Sequence, residues 1–158
     1  MIENMERYIF LDAGPLADFL DQYFRSSKRL YPHFEKSSEF SDDIAQMINR
    51  IIQDPQFSRI CASSFAFVEL VRKWDEIVKE RFKVYQLQAF ISDPPEWFLI
   101  EPLDENIVQY LCIISPEVRM ADQNMKPLEW TDAIHAATKM TRENSILVTR
   151  DERLRQIR

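Results

Sequence analysis

Four acids sit where a folded chain could bring them together: Asp12 in "YIFLDAGP", Glu69 in "SFAFVEL", Asp132 in "WTDAIHAA" and Asp151 in "LVTRDERL". Carboxylates crowded into one place repel one another and raise one another's pKa values, so such a cluster needs a cation. Hard divalent ions such as Mg²⁺ or Mn²⁺ take oxygen ligands and are commonly held by a few carboxylates, water and substrate phosphate. One or two ions would also let an acidic protein accept a polyanion. Thr149, two residues before Asp151, could orient that acid or a metal-bound water through its hydroxyl.

Each acid taken singly has a plainer reading. Glu69 could pair with Lys73 at i, i+4 on a solvated helix face. Asp132 could be a favourable anion at a helix amino terminus, and Asp12 and Asp151 could be turn or cap residues after strands. The functional case rests on all four sharing one edge. His135 faces roughly the same way as Asp132, but a lone histidine among alanines is better read as packing or hydrogen bonding than as a ligand. Trp74, Trp97 and Trp130 read as core or edge aromatics rather than as base-stacking platforms.

What must position these residues is a series of short strands and helices. The run Tyr8–Leu11 is too short for a helix before Gly14-Pro15 and reads as a buried strand ending near Asp12. Pro15 suits the first turn of a following helix, with Leu16, Phe19, Leu20 and Tyr23 along one face. Residues 25–40 have no period and read as a surface connection. From Ser41, the stripe Ile44, Met47, Ile48, Ile51 and Ile52 predicts a helix that Asp54-Pro55 ends.

A strand at Arg59–Ala62 follows, with Ser63 or Ser64 capping the next helix. That helix reads as long, because Phe67, Val71, Trp74, Val78, Phe82 and Tyr85 keep one apolar face until Asp93-Pro94-Pro95. Then come a strand near Phe98–Ile100, a helix from about Asp104, and a helix over roughly Leu128–Met140 with a stripe of small residues. The strand Ile146–Val148 is last. This order predicts an α/β fold, three layers α/β/α around a mainly parallel sheet of four or five strands, in a single domain spanning residues 1–158. Ligands in such sheets bind beyond the carboxyl ends of the strands, which is where Asp12 and Asp151 fall.

Bulk composition narrows the classes. The length of 158 residues suits one domain with its own core. A single glycine, Gly14, cannot build a G-x-G-x-x-G or P-loop phosphate cradle, so dinucleotide-binding and P-loop enzymes are excluded. Cys61 and Cys112 have neither zinc-knuckle nor disulfide spacing and fit a reducing cytosol. The acidic start "MIENMERY" is unlike a signal peptide, and no apolar run is long enough to span a bilayer; a cytoplasmic protein without membrane contact is expected. The net charge of −6 argues against broad wrapping of nucleic acid, although residues 139–158 carry a basic excess.

The segments "IFLDAGPLADFL", "SSFAFVEL", "TDAIHAATKM" and "ILVTRDERL" resemble the successive acidic motifs of PIN-domain nucleases, in order and over nearly the whole chain. The run D-A-I-H-A-A-T followed by a strand and T-R-D is the most telling part. The resemblance implies Asp12, Glu69, Asp132 and Asp151 as catalytic and metal-binding acids, with Thr149 in support. Compact members of this size resemble VapC-type toxins, ribonucleases held inactive by a partner antitoxin.

Metal-dependent hydrolysis of single-stranded RNA is therefore expected, on one or two Mg²⁺ or Mn²⁺ ions, with Arg150, Arg153 and Arg155 on backbone phosphates. The resemblance also raises an antitoxin and a homodimer as partners. A catalytically silent adaptor that keeps the fold is the alternative. An aspartyl-nucleophile phosphatase ranks last, because Gly14 stands where it would want a second acid. Two departures from the family pattern stand out: a long helical region between Asp12 and Glu69, and an end seven residues after Asp151 where a further strand is usual.

Overall fold

A computed structural model describes residues 7–26, 32–55, 58–112, 134, 137–138 and 145–149. Four short strands, β1 (Arg7–Leu11), β2 (Ser58–Ser63), β3 (Phe98–Glu101) and β4 (Ser145–Val148), form one sheet in the order β3-β2-β1-β4. All three pairings are parallel, with Ile9 opposite Ile60 and Ile146, and Cys61 opposite Leu99. The strands are apolar on both faces, as a parallel sheet covered on both sides requires. Ile9, Leu11, Ile60 and Ala62 belong to one buried cluster with the helices. Phe10 and Cys61, whose side chains alternate to the other face, are buried as well, as are Ile107, Leu111, Ile134 and Ala137.

The helices are α1 (Ala13–Arg25), α2 (Asp42–Gln53), α3 (Ser64–Arg72), α4 (Trp74–Ile77) and α5 (Val84–Ser92), and residues 105–112 form α6. Three of their starts are capped as the sequence suggests. Ser41 accepts from the Ile44 N–H (3.3 Å), Ser63 from the Ala66 N–H (3.1 Å) and Asp104 from the Ile107 N–H (3.2 Å). Asp42 and Asp43 add favourable charge to the first turn of α2. Of the helix expected over 128–140, the described residues Ile134, Ala137 and Thr138 are helical and buried, and the Thr138 hydroxyl donates to the Ile134 carbonyl (2.7 Å). Four strands are present among the described residues; a fifth after Asp151 would fall outside them.

Two expectations are corrected. The single long helix after β2 is three pieces. The chain leaves helical geometry at Lys73 (φ −111°, ψ 37°) and turns again at Lys79, whose φ of 59° lies in the left-handed region. The apolar stripe is divided accordingly: Phe67, Val78 and Phe82 are buried, whereas Val71 and Tyr85 are 61% and 69% exposed. Residues 25–40 are not simply a surface connection either. Phe34 and Phe40 are buried in the core, and Phe34 stacks on Phe19 with ring centroids 4.7 Å apart. Asn49 of α2 holds Phe34 in place by accepting from its N–H and donating to its carbonyl, both at 2.8 Å. Trp74 and Trp97 pack at the margin of this core, as expected.

Candidate active site

In strand order β3-β2-β1-β4 the chain steps in one direction from β1 to β3 and then returns to the other side of β1. The reversal opens a crevice beyond the carboxyl ends of β1 and β4, the place where open parallel sheets bind ligands. Asp12 directly follows β1 there, and Thr149 directly follows β4. The Asp12 N–H donates to the Val148 carbonyl (3.1 Å), extending the ladder by one bond beyond the strand.

The Asp12 carboxylate is held on both oxygens. Oδ1 accepts from the Ala13 N–H at 2.9 Å and caps α1, while Oδ2 accepts from the buried Thr149 hydroxyl at 2.8 Å. The capping role expected of a strand-end acid is therefore real, but it engages one oxygen only. Thr149, proposed from sequence to orient Asp151 or a water, is instead the partner of Asp12. A carboxylate has about four lone-pair sites across its two oxygens. Two bonds fix its plane and leave acceptor capacity for a further ligand, and hard oxygen donors of this kind suit Mg²⁺ or Mn²⁺.

Glu69 lies on α3, which packs against α1, and is buried with 8% of its surface exposed. A solvated pair with Lys73 does not describe it; the contact between these two residues is the Lys73 N–H donating to the Glu69 carbonyl (2.8 Å) at the helix end. Burying a glutamate is unfavourable unless other groups satisfy it. Asp132, Asp151, Arg150, Arg153 and Arg155 lie outside the described residues, as do His135 and Trp130. Among the described residues no three His, Cys, Asp or Glu side chains lie close enough together to hold an ion.

The sequence reading missed two buried acids. Glu101 ends β3 opposite Ser63 of β2, so it lies at the same carboxyl edge of the sheet as Asp12. Ending the strand at Ile100 hid it. Asp18, on the first turns of α1, is buried and paired with Arg81 from the turn between α4 and α5. Arg81 also donates to the carbonyls of Ile77 (2.5 Å) and Val78 (3.2 Å). Nothing local marks Asp18 as buried, because its partner is 63 residues away.

Comparison with solved structures places this architecture. The chain is similar to a crystal structure of VapBC2 from Rickettsia felis bound to a DNA fragment from their promoter. The match has a TM-score of 0.55 and 14% sequence identity, and covers 95% of this chain and 92% of that one. The fold is PIN-like. No protein-family model matches the sequence, and no curated protein matches it. At this identity the PIN-like likeness is one of backbone architecture, and the chemistry must be argued from the residues themselves. No helix among the described residues is long and apolar enough to cross a membrane.

Proposed function

We propose that this single-domain protein is a metal-dependent endoribonuclease that hydrolyses phosphodiester bonds of single-stranded RNA in the cytoplasm. The observation that carries the reading is the Asp12 carboxylate, fixed between the α1 amino terminus and Thr149 at the point where the strand order of a PIN-like sheet reverses. Asp12, Asp132 and Asp151 would hold one or two Mg²⁺ or Mn²⁺ ions, with Glu69 as a ligand or the group that orients water. The ions would supply hydroxide near neutral pH and stabilise charge on the attacking and leaving oxygens.

The residues of the chain do the positioning. Thr149 donates to Asp12 and keeps its carboxylate plane from rotating, and the Ala13 N–H and the positive end of α1 favour its charged form. Arg150, Arg153 and Arg155 would contact backbone phosphates of the RNA. An antitoxin-like inhibitor and a homodimer complete the proposed assembly; the VapBC2 complex is the structural parallel for the first.

The test is cleavage of single-stranded RNA with Mg²⁺ or Mn²⁺ by the wild type, Asp12→Asn and Asp132→Asn. Loss of cleavage in both variants, with their melting temperatures retained, supports the reading. Equal residual cleavage by all three proteins points to contamination and to a silent adaptor.

A further inference from the structure

A cavity of about 230 Å³ lies beside the candidate site, lined by Gly14, Asp18, Glu39, Glu76, Lys79 and Arg81 among others. It is small next to the roughly 300–1,000 Å³ of pockets for drug-sized ligands, which suits one ring system and little more. Gly14 is two residues beyond Asp12, so the cavity adjoins the place where the scissile phosphate would lie.

Its walls are held firmly. On one side the turn 37–40 is closed by the Ser37 N–H donating to the Phe40 carbonyl (3.0 Å), and by the N–H groups of Glu39 and Phe40 donating to Ser37 Oγ (3.1 and 3.3 Å). Buried Phe40 anchors the turn in the core. This brings the Glu39 carboxylate against the first turns of α1, and a methyl group placed on Gly14 would lie 2.8 Å from Glu39 Oε2. Gly14 has no positive φ; what its missing side chain provides is the close approach of Glu39.

The opposite wall supplies cations. Arg81 is committed to Asp18 and to two carbonyls of α4. Lys79 is, among the described residues, the one non-glycine with positive φ. Glycine adopts that conformation freely, whereas a residue with a Cβ is strained in it. Strain of this kind clusters at functional positions, and here it sets an ammonium group on the cavity wall.

A cavity lined by both a carboxylate and an ammonium suits neither a bare anion nor a bare cation. It suits a ligand with N–H donors at one end and negative charge at the other. Resting on the nuclease reading above, we propose that this cavity receives the nucleotide next to the scissile phosphate and selects guanine. Glu39 accepts from the adjacent N1–H and N2–H groups that only guanine presents together, and Lys79 pairs with the phosphate.

The test is titration of the full chain with 5′-GMP and 5′-AMP in the absence of metal, followed by protein-observed NMR, together with cut-site mapping on RNA with Mn²⁺. GMP is expected to bind roughly tenfold more tightly than AMP, as one well-placed bidentate contact provides. Glu39→Gln should abolish the preference, and Gly14→Ala should do the same by displacing Glu39 while leaving the protein folded. Lys79→Gly should weaken both nucleotides alike while raising the melting temperature. Equal binding of GMP and AMP, no saturable binding of either, or a preference that survives in Glu39→Gln overturns the proposal. Because binding is read without metal, the two ideas separate: selective binding without cleavage keeps the guanine site and removes the nuclease, and cleavage without selective binding does the reverse.

Discussion

Replacing Thr149 with valine isolates the bond on which the site depends. The side chain is buried and its hydroxyl donates to Asp12 Oδ2 at 2.8 Å, so valine removes the donor and nearly preserves the volume. A hydrogen bond to a charged group contributes about 1.5–3 kcal/mol. Asp12 is half-exposed, so water can replace part of what is lost, and the lower end, about 1.5 kcal/mol, is the working figure. For a chain of this length each kcal/mol moves the melting temperature by about 2–4 °C, which gives a fall of roughly 3–6 °C.

The functional effect should exceed the structural one. Groups that orient metal ligands typically change metal affinity or activity by about 10–100-fold when removed. The assay is cleavage of a fluorescent single-stranded RNA across a Mn²⁺ titration, run beside thermal melts for the wild type, Thr149→Val and Thr149→Ser. Valine should raise the Mn²⁺ concentration at half-maximal rate by that factor, and serine, which keeps the hydroxyl, should stay close to wild type. A valine variant that melts lower but shows an unchanged Mn²⁺ dependence would refute the idea that this bond aims Asp12 at an ion.

Further outcomes follow from the same packing. Phe34→Ala should destabilise the protein by about 3–5 kcal/mol in urea unfolding, the cost of emptying a buried aromatic site, although sequence places Phe34 in a connection. Ser63→Ala should cost about 1 kcal/mol by the same measurement, because it strips the cap of α3. Tyr23 has its pKa raised by burial and then by the charge of Asp93. The folded state therefore keeps its proton where the unfolded state releases it, and stability should fall as pH rises from about 10 through the raised value. Tyr23→Phe should flatten that alkaline decline in pH-dependent melts.

Much of the fold can be read from local pattern. The strands at Tyr8–Leu11, Arg59–Ala62, Phe98–Ile100 and Ile146–Val148 each gain only one or two terminal residues in the structure, because apolar runs bounded by turn residues have little else to be. The caps at Ser41 and Ser63 were legible for the same reason. The break of the long helix was not, since Phe67, Trp74 and Val78 keep helical spacing across it and a lysine gives no sign of left-handed backbone. Within the site, the place of Asp12 followed from the strand end alone. The choice of Thr149 as its partner did not, because it depends on which strand lies beside β1. Asp18 and Glu39 escaped for a related reason: each is defined by a neighbour distant in sequence.

The bond between Thr149 and Asp12 joins residues 137 positions apart. A helix forms from neighbours within microseconds, but a contact spanning so much chain must wait for loop closure and for synthesis to reach its far end. During translation the first acid can therefore be in place, with its helix formed behind it, long before the hydroxyl that steadies it has left the ribosome. An enzyme that degrades RNA would in this way remain inert while it is still tethered to the message that encodes it.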